Sequence, residues 1–183
     1  MSLDPKIRHD MRVILNDAKD DLKASGEVHP TVYLTGIDAE GEQVFTSIGI
    51  MGEMPDSAEA RGEMLYELGA HFGKVAKDSK VEIHGLFLLC DTWQKTVGKD
   101  EPTPETLRFD PTAIDAVIVM YMDRHDVGQG WIMSMPYKKL DEGGFKWERT
   151  VVKQAEVLYF GRFFDGVKKS QGVGSFAEFL REG

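Results

Sequence analysis

Nine residues in the second half of the chain, Ile114 to Met122, are apolar at every position except Asp115. A strand with no polar alternation has both faces turned from water, so this run predicts a central strand rather than an edge. The rest of the chain must supply its neighbours and cover.

Upstream, Asp4 is placed to cap a helix that starts at Pro5, where a missing proline N–H costs nothing. Ile7, Met11, Ile14, Leu15, Ala18 and Leu22 then fall on one helical face, and Ala24-Ser25-Gly26 ends it. Thr31 to Ile37 and Gln43 to Met51, joined by Asp38-Ala39-Glu40-Gly41-Glu42, predict a β-hairpin. Asp56 and Glu59 have capping-box spacing for a second helix reaching about Lys77. Gly62 and Gly69 lie on the apolar stripe of that helix. Each costs a helix about 1 kcal/mol relative to alanine, so the pair predicts a neighbour packed close to the helix backbone.

Val81 to Trp93 predicts a long strand, with Glu82, His84, Leu86, Leu88 and Cys90 on one face. Residues 95–112 hold three prolines and little apolar periodicity and are expected to form a long irregular loop. Gln129 to Leu140 is the next strand after the central one, and Pro136, which cannot donate to a ladder, predicts an edge position or a break in pairing there. Phe145 to Arg149 is a short further strand. Thr150 to Lys169 carries a helical stripe, and a short helix is expected over Ser175 to Arg181.

The order αββαβ-loop-βββαα predicts one α+β domain spanning residues 1–183. Its sheet is expected to be largely antiparallel, of about five or six strands, with helices packed mainly on one face. A length of 183 residues, with 42% hydrophobic and 29% charged side chains, fits a single ordinary core.

Charge and thiols narrow the partners. Lys and Arg number 22 against 31 Asp and Glu, a formal charge of −9 that opposes binding to nucleic acid or an anionic membrane. The excess is acidic up to residue 137, while 138–183 holds 9 basic against 7 acidic side chains. Cys90 is the sole cysteine, which excludes an intrachain disulfide and a multi-cysteine metal site and makes a reducing cytoplasm the simplest expected home. The first residues lack a basic stretch followed by an apolar one, so no secretory signal is expected. The longest apolar run, seven residues, is too short to span a bilayer.

Few motifs of recognised chemistry are present. His9, His29, His71, His84 and His125 form no H-E-x-x-H pair, the deaminase H-x-E with P-C-x-x-C is missing, and so are the P-loop and G-x-S-x-G patterns. Gly172 to Ala177 matches G-x-G-x-x-A, but a lysine-rich helix precedes it where a dinucleotide fold needs a strand. His84 and Cys90 share a strand face, yet six residues of extended chain separate them by about 20 Å.

The strongest polar constellation is Asp123, His125 and Asp126, in the turn after the central strand. Carboxylate and imidazole there are candidates for acid–base work or a divalent metal, with His71, spaced to lie on the inner edge of its helix, and His84 as further catalytic candidates. Trp131, Tyr137 and Trp147 are candidates for a protein interface; with Lys138, Lys139, Lys146 and Arg149 they also resemble a base-stacking surface. The expected function is therefore a non-catalytic interaction or assembly domain with a protein partner or a second copy of itself, associating through the strand 129–140 or the adjacent aromatic helix. The alternatives are a small metal-dependent or acid–base enzyme at residues 123–126 and single-stranded nucleic-acid binding by the C-terminal basic and aromatic segment. No particular cofactor is indicated.

Overall fold

The computed structural model describes residues 2–50, 54–55, 57–94, 112–156 and 158–171. Its elements run α1 (Pro5–Ser25), β1 (Thr31–Ile37), β2 (Gln43–Gly49), α2 (Ala58–Asp78), β3 (Glu82–Gln94), β4 (Ile114–Asp123), β5 (Gln129–Lys139), β6 (Phe145–Trp147), β7 (Val151–Glu156) and α3 (Leu158–Gln171). All pairings are antiparallel, in the order β2-β1-β3-β4-β5-β6, with β7 also on β5. The α+β class and the antiparallel sheet are as the sequence predicts. Residues 95–111, the helix expected at 175–181, the 172–177 glycine motif and the Asp56 cap lie outside the described residues.

β4 is the interior strand that its composition demands. Val117, Val119 and Tyr121 join a core on one face of the sheet, beneath α1, while Met120 and Met122 join a second core on the other face, beneath α2 and α3. Two helices thus share one face and α1 covers the opposite one. No described helix is long and apolar enough to cross a membrane.

α1 begins as its residues dictate: the Asp4 carboxylate accepts from Lys6 N at 2.7 Å and Ile7 N at 3.3 Å, and Gly26 ends the helix in the left-handed conformation at φ 79°. α2 is capped by Ser57, whose hydroxyl accepts from Ala60 N at 3.1 Å. Gly62 and Gly69 are both buried, as expected, and face α3.

One expectation is corrected at the C-terminal side, and of the two alternatives for Pro136 the break in pairing holds. Residues 151–156 form a strand, and the helix begins only at Leu158. The outer edge of β5 from Gln129 to Ser134 needs a hydrogen-bonding partner, which the β-branched pair Val151-Val152 suits; this tertiary demand outweighs the helical spacing. β5 itself is not an edge strand, because β4 lies on one side and β7 and β6 on the other. Pro136 sits where β7 pairing stops at Ser134 and β6 pairing starts at Tyr137. Its carbonyl accepts from Glu148 N at 2.8 Å on that outer side, so its missing N–H falls in the gap between the two outer strands.

Candidate functional site

The polar turn predicted after the central strand is Asp123 to Gly128. It is held against the start of β3, where Arg124 N donates to the His84 carbonyl at 2.8 Å and the Arg124 guanidinium bonds Glu82 at 3.0 Å. His84 is the extra residue of a β-bulge: Thr35 pairs with Gly85 and Gly36 with Ile83, leaving His84 without a partner on β1. The bulge reverses the alternation, so Ile83 packs in the same core as Leu86 and Leu88. It also brings the His84 ring to 6.3 Å from the ring of His125, with Glu82 at 3.8 Å from His84 Nε2. His71 takes no place in this group. Instead of lying on the inner edge of its helix it is exposed, with its ring edge-on to Phe72.

Asp123, His125 and Asp126 line one cleft of about 510 Å³, together with Tyr121, Gln129 and Trp131 and the start of α1 at Ser2, Leu3, Asp4 and Ile7. Asp123 shapes this wall. One of its oxygens accepts from His125 N at 2.8 Å and the other from the Tyr121 hydroxyl at 3.1 Å. Burial pushes the Tyr121 hydroxyl well above its ordinary value, and the negative charge of Asp123 pushes it further, so it remains a proton donor. Asp4 is likewise committed to its helix cap. Among the described residues no group of three or more His, Cys, Asp and Glu side chains is arranged to hold a metal ion. The turn residues are therefore together, as the sequence suggests, and both oxygens of Asp123 are engaged within the turn.

The three aromatic interface candidates separate. Tyr137 is 1% exposed and belongs to the core, which corrects its assignment to a surface; its hydroxyl donates to Asp91 at 2.8 Å. Burial raises the Asp91 carboxyl above its usual range despite that bond, and Asp115 adds to the effect. Trp131 and Trp147 are half-buried against the same core, and Lys19 of α1 lies 4.9 Å over the Trp147 ring. Phe145, Tyr137 and Trp147 pack against one another edge-on or tilted; Lys138 and Lys146 pair on the opposite face of β5 and β6, and Lys139 pairs with Phe145. Cys90 is buried on the other face, and burial pushes its thiol up to about 12, which makes it inert as a nucleophile.

The feature that residue-by-residue reading passes over is the edge of the sheet. β2 pairs with β1 at all seven positions without a bulge, and no strand lies on its outer side among the described residues. Ile50 N donates to the Pro30 carbonyl and Asp38 N to that of Glu42, which places the bonded pairs of this ladder at even-numbered residues. Gln43, Phe45, Ser47 and Gly49 therefore direct their backbone N–H and C=O groups outward. Phe45 is 54% and Ile48 37% exposed. A sequence signal existed: residues 43–52 carry no charge in a chain that is 29% charged, although most of the uncharged run 127–137 lies in an interior strand.

No family model, curated protein or solved structure matches the chain.

Proposed function

We propose that this chain is a non-catalytic interaction domain that accepts an extended strand of a protein partner along β2. The observation that carries the reading is the contrast between the two edges of one sheet. The far edge is divided into β6, three residues long, and β7, and carries Lys146, Lys153 and Glu156. Short strands, interruptions and charges are the means by which proteins keep sheet edges from pairing. β2 has none of them: no charge, no proline and no bulge. This moves the interaction from strand 129–140, which is interior, to the opposite side of the sheet.

The test uses a synthetic peptide with the sequence of residues 42–50 and hydrogen exchange read at single amides of the full chain. In chain dilute enough to be monomeric, the amides of Phe45, Ser47 and Gly49 are expected to exchange readily and to slow when the peptide is added in excess. Those of Val44, Thr46 and Ile48, bonded to β1, stay protected throughout. No change at the odd-numbered amides, or protection centred elsewhere, would sink the reading.

A second reading rests on the cleft, where His125 and Asp126 stand beside Trp131 at an opening of about 510 Å³. It makes the chain a small acid–base enzyme with His125 carrying the proton. Native mass spectrometry of protein purified without chelator separates the two. A stoichiometric metal or small molecule, lost in His125→Ala, would favour the enzyme; a chain free of added mass, alone or assembled, is expected from the interaction reading.

A further inference from the structure

We infer that the strand accepted by β2 is the β2 of a second copy of this chain, paired antiparallel about a two-fold axis at Thr46. This rests on the edge-capture reading above and names its partner. The argument starts from the hydrogen-bond phase. Because Gln43, Phe45, Ser47 and Gly49 point outward, a partner of the same sequence must oppose odd-numbered residues to odd-numbered residues. Of the registers that do so, the one centred on Thr46 uses all seven residues of both strands. It sets Phe45 against Ser47 and Gln43 against Gly49 of the second copy as bonded pairs, and Val44 against Ile48 and Thr46 against itself as the closer, non-bonded pairs.

The side chains suit that register. On the face shared with α2 and α3 it lines up Val44, Thr46 and Ile48 with Ile48, Thr46 and Val44, β-branched residues throughout. On the α1 face the two copies of Phe45 become diagonal neighbours, within reach of aromatic side chains, and each already rests on Tyr33 at 5.6 Å between ring centroids. Two bodies of formal charge −9 repel, and the seven residues of β2 add no acid of their own to the contact, while the Lys6 ammonium of α1 donates to the Gln43 side-chain oxygen beside it. The nearest acid, Glu42, falls at opposite ends of the pair in the two copies. The charged and divided far edge stops further addition, so the assembly closes as a dimer instead of growing into a filament.

Thr46 opposes itself in this register, and within one chain it is exposed, so it can be changed without touching a core. The experiment is multi-angle light scattering of the wild-type chain, of T46K and of T46E, and of the two variants mixed in equal amounts. The wild type is expected to dimerise with concentration, and each variant to weaken the dimer by at least about tenfold through like charges set opposite one another. The mixture is expected to restore it, which a merely structural role for Thr46 would not do. Ser47→Pro, which removes one outward N–H and leaves the β1 ladder intact, is expected to be monomeric and provides a second variant should a charged one fold poorly. A wild type that stays monomeric at about 100 μM, or variants that dimerise as well as it does, would overturn the two-fold pairing. The peptide-exchange result then decides separately whether the edge accepts strands at all.

Discussion

Gly69→Ala is expected to destabilise this protein by about 3 kcal/mol, although in a solvent-exposed helix the same change stabilises by about 1 kcal/mol. The sign reverses because of how α2 meets α3. A β-carbon at Gly69 would overlap the backbone carbonyl of Phe163, with no flexible side-chain end to move aside. The contact is reciprocal: Gly166 of α3 lies against the Tyr66 carbonyl of α2 and 2.7 Å from Ala70 N, both measured from where its β-carbon would stand. One turn further along α2, a β-carbon on Gly73 would come within 2.7 Å of Val167 Cα. The helices therefore touch backbone to backbone along a seam of glycines, and a methyl group can be admitted only by separating them. That would lift Phe160, Phe163, Phe164 and Val167 from the core that they fill. Thermal unfolding should report it as a loss of roughly 6 to 12 °C. Gly62 provides the internal control. Its β-carbon would meet Arg162 Cγ at 3.4 Å and Tyr159 Cβ at 3.7 Å, ordinary contacts, so Gly62→Ala should be neutral or slightly stabilising. Equal losses at both positions would show that the seam is not the cause.

Phe87→Ala should cost about 4 kcal/mol, the range found for removing a fully buried phenylalanine. Phe87 is 0% exposed in the middle of β3, with its ring 4.7 Å from that of Tyr121 and 6.4 Å from that of Phe45. It stands between the strand that lines the cleft and the strand at the open edge. On the α1 face it shares its core with Met11, Ile14 and Leu15, held on a helix whose first turn is capped, so the cavity cannot close by a local shift. Denaturant unfolding should show the lower midpoint with an unchanged slope. Phe87→Leu, which keeps most of the volume, should recover more than half of the loss. A cost below about 1 kcal/mol for the alanine variant would mean that the site collapses and that the sheet is softer than its packing implies.

What the sequence made legible follows from which forces act locally. The α1 boundaries came from Asp4, Pro5 and Gly26, which act within a few residues of themselves, and the interior place of β4 came from its own composition. The close approach at Gly69 was legible because a helix tolerates glycine poorly unless something else gains from it, whereas Gly62, although buried, has only ordinary contacts. The misread segments owe their structure to distant partners. Val151 to Glu156 is a strand because β5 lies beside it, and His84 is re-aimed because β1 and β3 differ there by one residue in register. His71 was placed on the inner edge of its helix by spacing alone, and only the position of α3 shows which side of α2 is inner. The same holds for the turn site. Proximity of Asp123, His125 and Asp126 was legible from their spacing, but the commitment of Asp123 to Tyr121 and to the backbone is a matter of geometry. The open edge was hidden for a further reason: an uncharged run looks alike in an interior strand and in an unguarded one, and strand order decides between them.

The glycine seam also carries a consequence for the order of events as the chain folds. α2 ends at Asp78 and the helix that completes its inner side begins at Leu158, about 80 residues later. Within a chain emerging from its N-terminus, the α1 side can consolidate over β1, β3 and β4 while α2 has the sheet but not yet the helix that its glycines face. The second core is thus assembled across a long loop of chain, and its rate is governed by that search rather than by helix formation, which is orders of magnitude faster. Until α3 arrives, the apolar side of α2 and the edge of β2, which no other described strand covers, are open together, and this interval is when the chain is most exposed to wrong partners.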